Sequence, residues 1–283
     1  MGGRGSAYIV KQHTSSNDSF PDIDTGYKVS DFDTDIETEY HNEMFDELKK
    51  YKISVRKSTD DIDDKILERQ EKTVLSIAKK YNKLLSLTSD VQDIQLGAEK
   101  FPSSGVLAYC APNIKNGTTI QRVVLNKKYL KNYDKYLEVV DYGIKTKQFV
   151  PVNQTFNSRD YILTHEFGHA IENAVFEKVK KDNNLYFYTI SDYSRLSDIF
   201  ATRIKNEVIK ICQDKYKNGK MLKKEDINLS SYASNDDFEW FAETFTNLEL
   251  AEKPAPIALA LGDYLGRMLW EYMILCLRKI VIW

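Results

Sequence analysis

The stretch Tyr161-Ile162-Leu163-Thr164-His165-Glu166-Phe167-Gly168-His169-Ala170 decides how the rest of the chain is read. It contains His-Glu-x-x-His. On a helix, residues four apart lie on one face, one turn from each other. Two neutral imidazoles so placed can both reach one metal ion, and the carboxylate of Glu166 can take a proton from a water activated by that ion. Leu163, Phe167, Ala170 and Ala174 form a separate apolar face that would bury against a core. Asn157 or Ser158 is expected to cap the helix start.

A catalytic zinc site needs a third protein ligand and an open fourth position. The extension His-x-x-Gly-x-x-His is absent, because Glu172 and Val175 stand where its Gly and third His would be. Glu172 shares the histidine face, but a ligand one further turn along a straight helix closes a tetrahedron poorly. A ligand from another helix is better, and Asn235-Asp236-Asp237-Phe238-Glu239-Trp240-Phe241-Ala242-Glu243-Thr244-Phe245 offers one. Phe238, Phe241, Ala242 and Phe245 make an apolar stripe at helical spacing, with Glu239 and Glu243 beside it. Two carboxylates buried there unpaired would be costly. A metal ligand plus a carboxylate hydrogen-bonded to another ligand would remove that cost. Taken alone, the helix also fits a solvated acidic edge. Asn235 or Asp236 is expected to cap it.

The segment His165-Glu166-Phe167-Gly168-His169-Ala170, followed by Ser231-Tyr232-Ala233-Ser234-Asn235 and the helix above, resembles the zinc peptidase domain of anthrax lethal factor and its relatives. These are gluzincins, with two His and one Glu on zinc. In that family a Tyr precedes the ligand Glu by seven residues and a second Glu follows it by four, the spacing of Tyr232, Glu239 and Glu243 here. The resemblance spans about residues 90–250. It implies a zincin-like fold with Zn2+ on His165, His169 and Glu239. It also implies Glu166 as general base, Glu243 as the carboxylate orienting a ligand, and Tyr232 as a phenol donating to the tetrahedral oxyanion. The layout is also similar to small metallopeptidase-like proteins encoded near the head genes of phages and mobile elements in Gram-positive bacteria.

Around these motifs the chain reads as α+β: a small mixed sheet, active-site helices and a helix-rich C-terminal half. Apolar spacing predicts a long amphipathic helix from Asp61 to Leu87 and another from Tyr129 to about Tyr142. Between them lie three extended runs, Val91–Leu96, Gly105–Ala111 and Thr119–Asn126. The last two are joined by a link longer than a two-residue turn that contains Asn116-Gly117. Later helices are expected over about 159–181, 196–217, 236–250 and 256–279. The tail Leu269–Trp283 reads as a buried terminal helix. Residues 1–55 form an acidic arm, with eleven acidic residues and one Lys from Asp18 to Glu47, too polar to offset its chain entropy. Residues 56–283 form the catalytic domain, with a Lys-rich helical insertion over 178–225.

Composition narrows the function. The 283 residues carry 40 basic and 42 acidic side chains, a formal charge of −2. That balance argues against a dedicated nucleic-acid binder, and solvated helix faces explain the Lys-rich insertion. Cys110, Cys212 and Cys276 are too scattered for a disulfide framework or a thiolate zinc site. No apolar run is long enough for a membrane span, and the polar start lacks a signal-peptide core, so a cytoplasmic location is expected. Of four His, His13 and His41 fall in the arm, and the other two form the pair.

The expected activity is that of a metalloendopeptidase, with Glu166 activating a zinc-bound water against a peptide carbonyl. An extended protein or peptide substrate would add antiparallel to an exposed sheet edge, expected at Gly105–Ala111. The alternative is a phage or mobile-element structural or interaction protein that retains a zinc-binding peptidase fold.

Overall fold

In the computed structural model, the described residues are 6–9, 48, 53–57, 62–85, 92–99, 106–115, 118–153, 159–183 and 190–281. The chain is α+β. Its sheet has five strands: β1 (Ser6–Ile9), β2 (Ile53–Lys57), β3 (Gln92–Glu99), β4 (Val106–Lys115) and β5 (Thr118–Asn126). Their order is β1-β4-β5-β3-β2. The β1–β4 and β4–β5 pairs are antiparallel, whereas β5–β3 and β3–β2 are parallel.

Two expectations about the sheet need correcting. The β4–β5 ladder runs to Lys115 opposite Thr118, so only Asn116 and Gly117 separate the strands. The strand continues through Pro112, beyond the reach of β1, where the outer side of β4 faces no described strand and a missing N–H is tolerated. Nor is Gly105–Ala111 an exposed edge, because β1 pairs with Val106 through Cys110. Ser6–Ile9, in the segment read as an acidic arm, and Ile53–Lys57, which crosses the boundary set at residue 55, are the two marginal strands of the sheet. Most of the rest of residues 1–55 lies outside the described residues.

Six helices follow the periodic apolar pattern: α1 (Asp64–Leu85), α2 (Tyr133–Lys145), α3 (Tyr161–Asp182), α4 (Ile190–Ile211), α5 (Asp237–Leu250) and α6 (Pro256–Val281). Asp63 accepts from the backbone N–H of Lys65 at the start of α1 and from that of Tyr133 at the start of α2, tying the two together. Along α1, Ile66, Val74, Ile77, Ala78, Tyr81 and Leu84 are buried, one face at helical spacing. α1 and α3 pack together and each packs on the sheet. α5 packs on α3, and α4 and α6 pack with α5.

A buried carboxylate joins three of these elements. Glu249, near the end of α5, accepts from Lys80 Nζ at 2.6 Å, Tyr81 OH at 2.7 Å and Arg159 Nη1 at 3.1 Å. Thus α1, the lead into α3 and the end of α5 meet at one point.

The Lys-rich segment 178–225 belongs to this same core. Phe200, Ile204, Val208 and Cys212 are buried in it. Its lysines are largely paired: Lys178 with Asp182, Lys205 with Asp237, Lys215 with Asp263 and Lys217 with Asp226. α6 extends through the sequence read as a terminal helix, although the side chains of most of that tail lie outside the described residues. Among the described residues, no helix is long and apolar enough to cross a membrane.

Candidate metal centre

Asp160 caps α3; Asn157 and Ser158, the caps expected, lie outside the described residues. The Asp160 side chain accepts from the N–H of Leu163 at 2.7 Å and from Tyr136 OH at 2.7 Å. Every residue from Tyr161 to Ala170 is buried. A helix buried all round has no solvated side, so its polar residues require partners within the protein.

α5 supplies them. Asp236 caps it, accepting from the N–H of Glu239 at 2.8 Å. Glu239 and Glu243 are buried, which excludes the solvated acidic edge. The apolar side differs in one respect from the expected stripe. Trp240 is wholly buried and its indole N–H donates to Ile227 O at 2.8 Å, whereas Phe238 is half-buried.

α3 and α5 run antiparallel in close contact. A Cβ built on Gly168 would stand 2.7 Å from Cα of Ala242 and 3.2 Å from its Cβ. Only glycine permits this approach. The approach sets Glu239 against both histidines. Nε2 of His165 lies 3.1 Å from Oε2 of Glu239, and Nε2 of His169 lies 3.5 Å from the same oxygen. Ligand atoms of His165, His169 and Glu239 all fall within 4.8 Å of one another, so the triad could hold a metal ion. Glu172 is not part of that group.

The rest of the site orients His165. Oε1 of Glu243 accepts from Nδ1 of His165 at 3.0 Å, which points Nε2 toward Glu239. Glu243 is itself fixed. Its Oε2 accepts from Ser230 Oγ at 2.7 Å and from the N–H of Val150 at 2.9 Å, and its Oε1 from Tyr161 OH at 3.3 Å. Val150 follows a turn in which Lys147 has a φ of 58°. The carbonyls of Lys147 and Gln148 accept from the N–H groups of Ser231 and Tyr232. One turn therefore supports both Glu243 and the Tyr232 backbone. The Tyr232 ring centroid lies 5.9 Å from that of His165.

The electrostatics are those of a site built for a cation. Burial would lift the Glu239 carboxyl, but the charges of His169 and His165 and the hydrogen bond of His165 hold it at about 2. Burial would lower His165, yet Glu239 and Glu243 raise it to about 10. In the metal-free protein a proton on His165 thus fills part of the role of a cation. Burial pushes Glu166 well up, against the opposing charge of His165. Neither carboxylate oxygen of Glu166 has a hydrogen-bond partner, and Nε2 of His169 has none. Three orphaned buried polar atoms beside a two-imidazole, one-carboxylate set fit a metal ion and a ligand water. Burial and the nearby Glu239 and Glu166 raise the Tyr232 phenol, which keeps its proton and so stays a donor.

The structure therefore brings together His165, Glu166, His169, Tyr232, Glu239 and Glu243. It adds Ser230, Tyr161 and Val150, which sequence reasoning did not single out. Tyr161 and Ser230 carry no motif of their own, and Val150 acts through its backbone. Compared with protein-family models, curated proteins and solved structures, the chain has no significant match.

Proposed function

We propose that the protein is a zinc-dependent metallopeptidase of the gluzincin type. The observation that carries this reading is the pairing of a buried His165–His169–Glu239 donor set with an adjacent, unpartnered Glu166 carboxylate. Two nitrogens and one carboxylate oxygen suit Zn2+. A zinc ion held there supplies a Lewis acid that polarises a carbonyl and acidifies a water molecule.

The chain's own groups do the rest. Glu166, whose carboxyl burial raises well above its ordinary value, accepts a proton from the attacking water and returns it to the leaving amine. Tyr232 donates its retained proton as a hydrogen bond to the oxygen that gains negative charge. Glu243 holds His165 in the tautomer that leaves Nε2 available, and Ser230, Val150 and Tyr161 hold Glu243.

Glu166→Gln tests the chemistry. The zinc-loaded variant is expected to keep its zinc and lose peptide cleavage by at least ~100-fold, the scale of general acid–base catalysis. Full cleavage activity in that variant would sink the proposal. Burial of the whole donor set also favours a second reading, a phage or mobile-element structural or interaction protein that keeps the metal for stability. Zinc binding without cleavage of a diverse peptide library supports that one.

A further inference from the structure

The site is closed. Glu166 is 0% exposed, His165 1%, His169 3%, Glu239 5% and Tyr232 8%. A peptide arriving from outside cannot reach Glu166 in this state, so some element must give way. The sheet points to one.

β1 runs antiparallel along β4, with Ser6 opposite Cys110, Ala7 opposite Tyr109 and Ile9 opposite Val106. β4 packs directly on α3. Leu107, Ala108 and Cys110 are buried in one core with Leu163, Phe167 and Ala170, so this part of β4 lies against the helix that carries the general base. Without β1, Val106–Cys110 would face no described strand, on the strand packed against the helix that bears the two histidines. Such an edge takes an extended peptide through main-chain hydrogen bonds.

β1 has the properties of an exchangeable strand. It is four residues long, it has a single neighbour among the described strands, and its register breaks between Ala7 and Ile9. The bonds it makes are of the same kind that an incoming peptide would make. Its advantage is connection: a tethered segment competes at an effective concentration in the millimolar range. A free peptide using backbone bonds alone must therefore reach similar concentrations to displace it.

We propose that Ser6–Ile9 is a built-in competitor occupying the peptide-binding edge of β4, and that the protein is latent until this strand leaves. What the strand competes with rests on the peptidase reading.

The test uses the full chain loaded with zinc. The probes are a tetrapeptide bearing a terminal hydroxamate, for affinity, and denatured casein, for cleavage. Ile9→Cys with Val106→Cys places a disulfide across β1 and β4. Directly opposed antiparallel residues have Cα atoms about 4.5–5.5 Å apart, within disulfide range. Its oxidised and reduced forms are the same polypeptide, so folding differences do not confuse the comparison. Ala7→Pro with Tyr8→Pro removes two successive N–H groups, one of which faces β4 in an alternating strand.

The oxidised form is expected to bind the hydroxamate at least tenfold more weakly than the reduced form. The proline variant is expected to bind it at least tenfold more tightly than the parent, with casein cleavage following the same order. Equal affinities in oxidised, reduced and proline forms overturn the competitor, and cleavage by those forms would leave the peptidase reading standing. Affinities that follow the strand, with no cleavage in any form, support the competitor and overturn the peptidase reading instead.

Discussion

Gly168→Ala tests whether helix packing sets the metal site. The added Cβ would sit 2.7 Å from Cα of Ala242, about 1 Å inside ordinary carbon contact of roughly 3.5–4.0 Å. The obstacle is backbone and cannot rotate away. α3 and α5 must therefore part by about 1 Å, and overpacking of this kind costs ~1–3 kcal/mol. The same movement lengthens the 3.1 Å and 3.5 Å separations of Glu239 from His165 and His169. Metal–ligand distances tolerate only about 0.2 Å. Zinc affinity should fall by roughly 10- to 100-fold, as when a ligand loses its support. Urea unfolding of the metal-free protein measures the first effect, and competition with a chromophoric chelator the second. Adding Ala242→Gly removes the 3.2 Å contact but leaves the 2.7 Å one, so the double variant recovers only part of either loss. Parental stability and parental zinc affinity in Gly168→Ala would refute the reasoning.

Three further outcomes are expected. Glu243→Gln puts an amide N–H against either the Nδ1 of His165 or the Ser230 and Val150 donors, and zinc affinity by chelator competition should drop about 10- to 100-fold; no loss would mean that His165 needs no orienting partner. Because metal-free His165 titrates at about 10, zinc uptake at pH 7 should release about one proton, measured by calorimetry in buffers of different ionisation enthalpy. Affinity should then rise with pH up to that value, and a buffer-independent heat would contradict it. Glu166 keeps its proton in the folded, metal-free protein well above the 4.5 of the free side chain. As pH rises past that value the unfolded chain loses a proton the folded chain retains, so stability falls. Glu166→Gln lacks this loss, and its stability margin over the parent should widen from pH 4 to pH 8; denaturation curves giving a constant margin would argue against it.

The long helices were readable because their apolar period is unmistakable: Ile66 through Leu84 trace one face of α1. Helix starts were less so. Asp160 caps α3 because its carboxylate also receives Tyr136 OH, a partner 24 residues earlier that no local rule supplies. The marginal strands were not readable, since Ser6–Ile9 and Ile53–Lys57 become strands through pairing with distant β4 and β3. Pro112 hid the length of β4, because an interior proline argues against a strand unless one side of that strand is open. In the site, the spacing of His165, Glu166 and His169 expressed one turn of helix, and that of Glu239 and Glu243 another. The supports of Glu243 were hidden because two are ordinary hydroxyls and the third is a peptide N–H.

The Glu249 junction has a mechanical consequence. α3 and α5 behave as two levers touching at Gly168 and Ala242. At one end Arg159 draws them together through Glu249, with Lys80 and Tyr81 as anchors. Beyond the fulcrum, burial and then the charges of Asp236 and Glu239 push the Glu172 carboxyl well up, and its Oε1 has no hydrogen-bond partner to tie that end. The two helices are therefore tied at one end only, and hydrogen exchange should spread first from the Glu172 end while the Glu249 end stays shut.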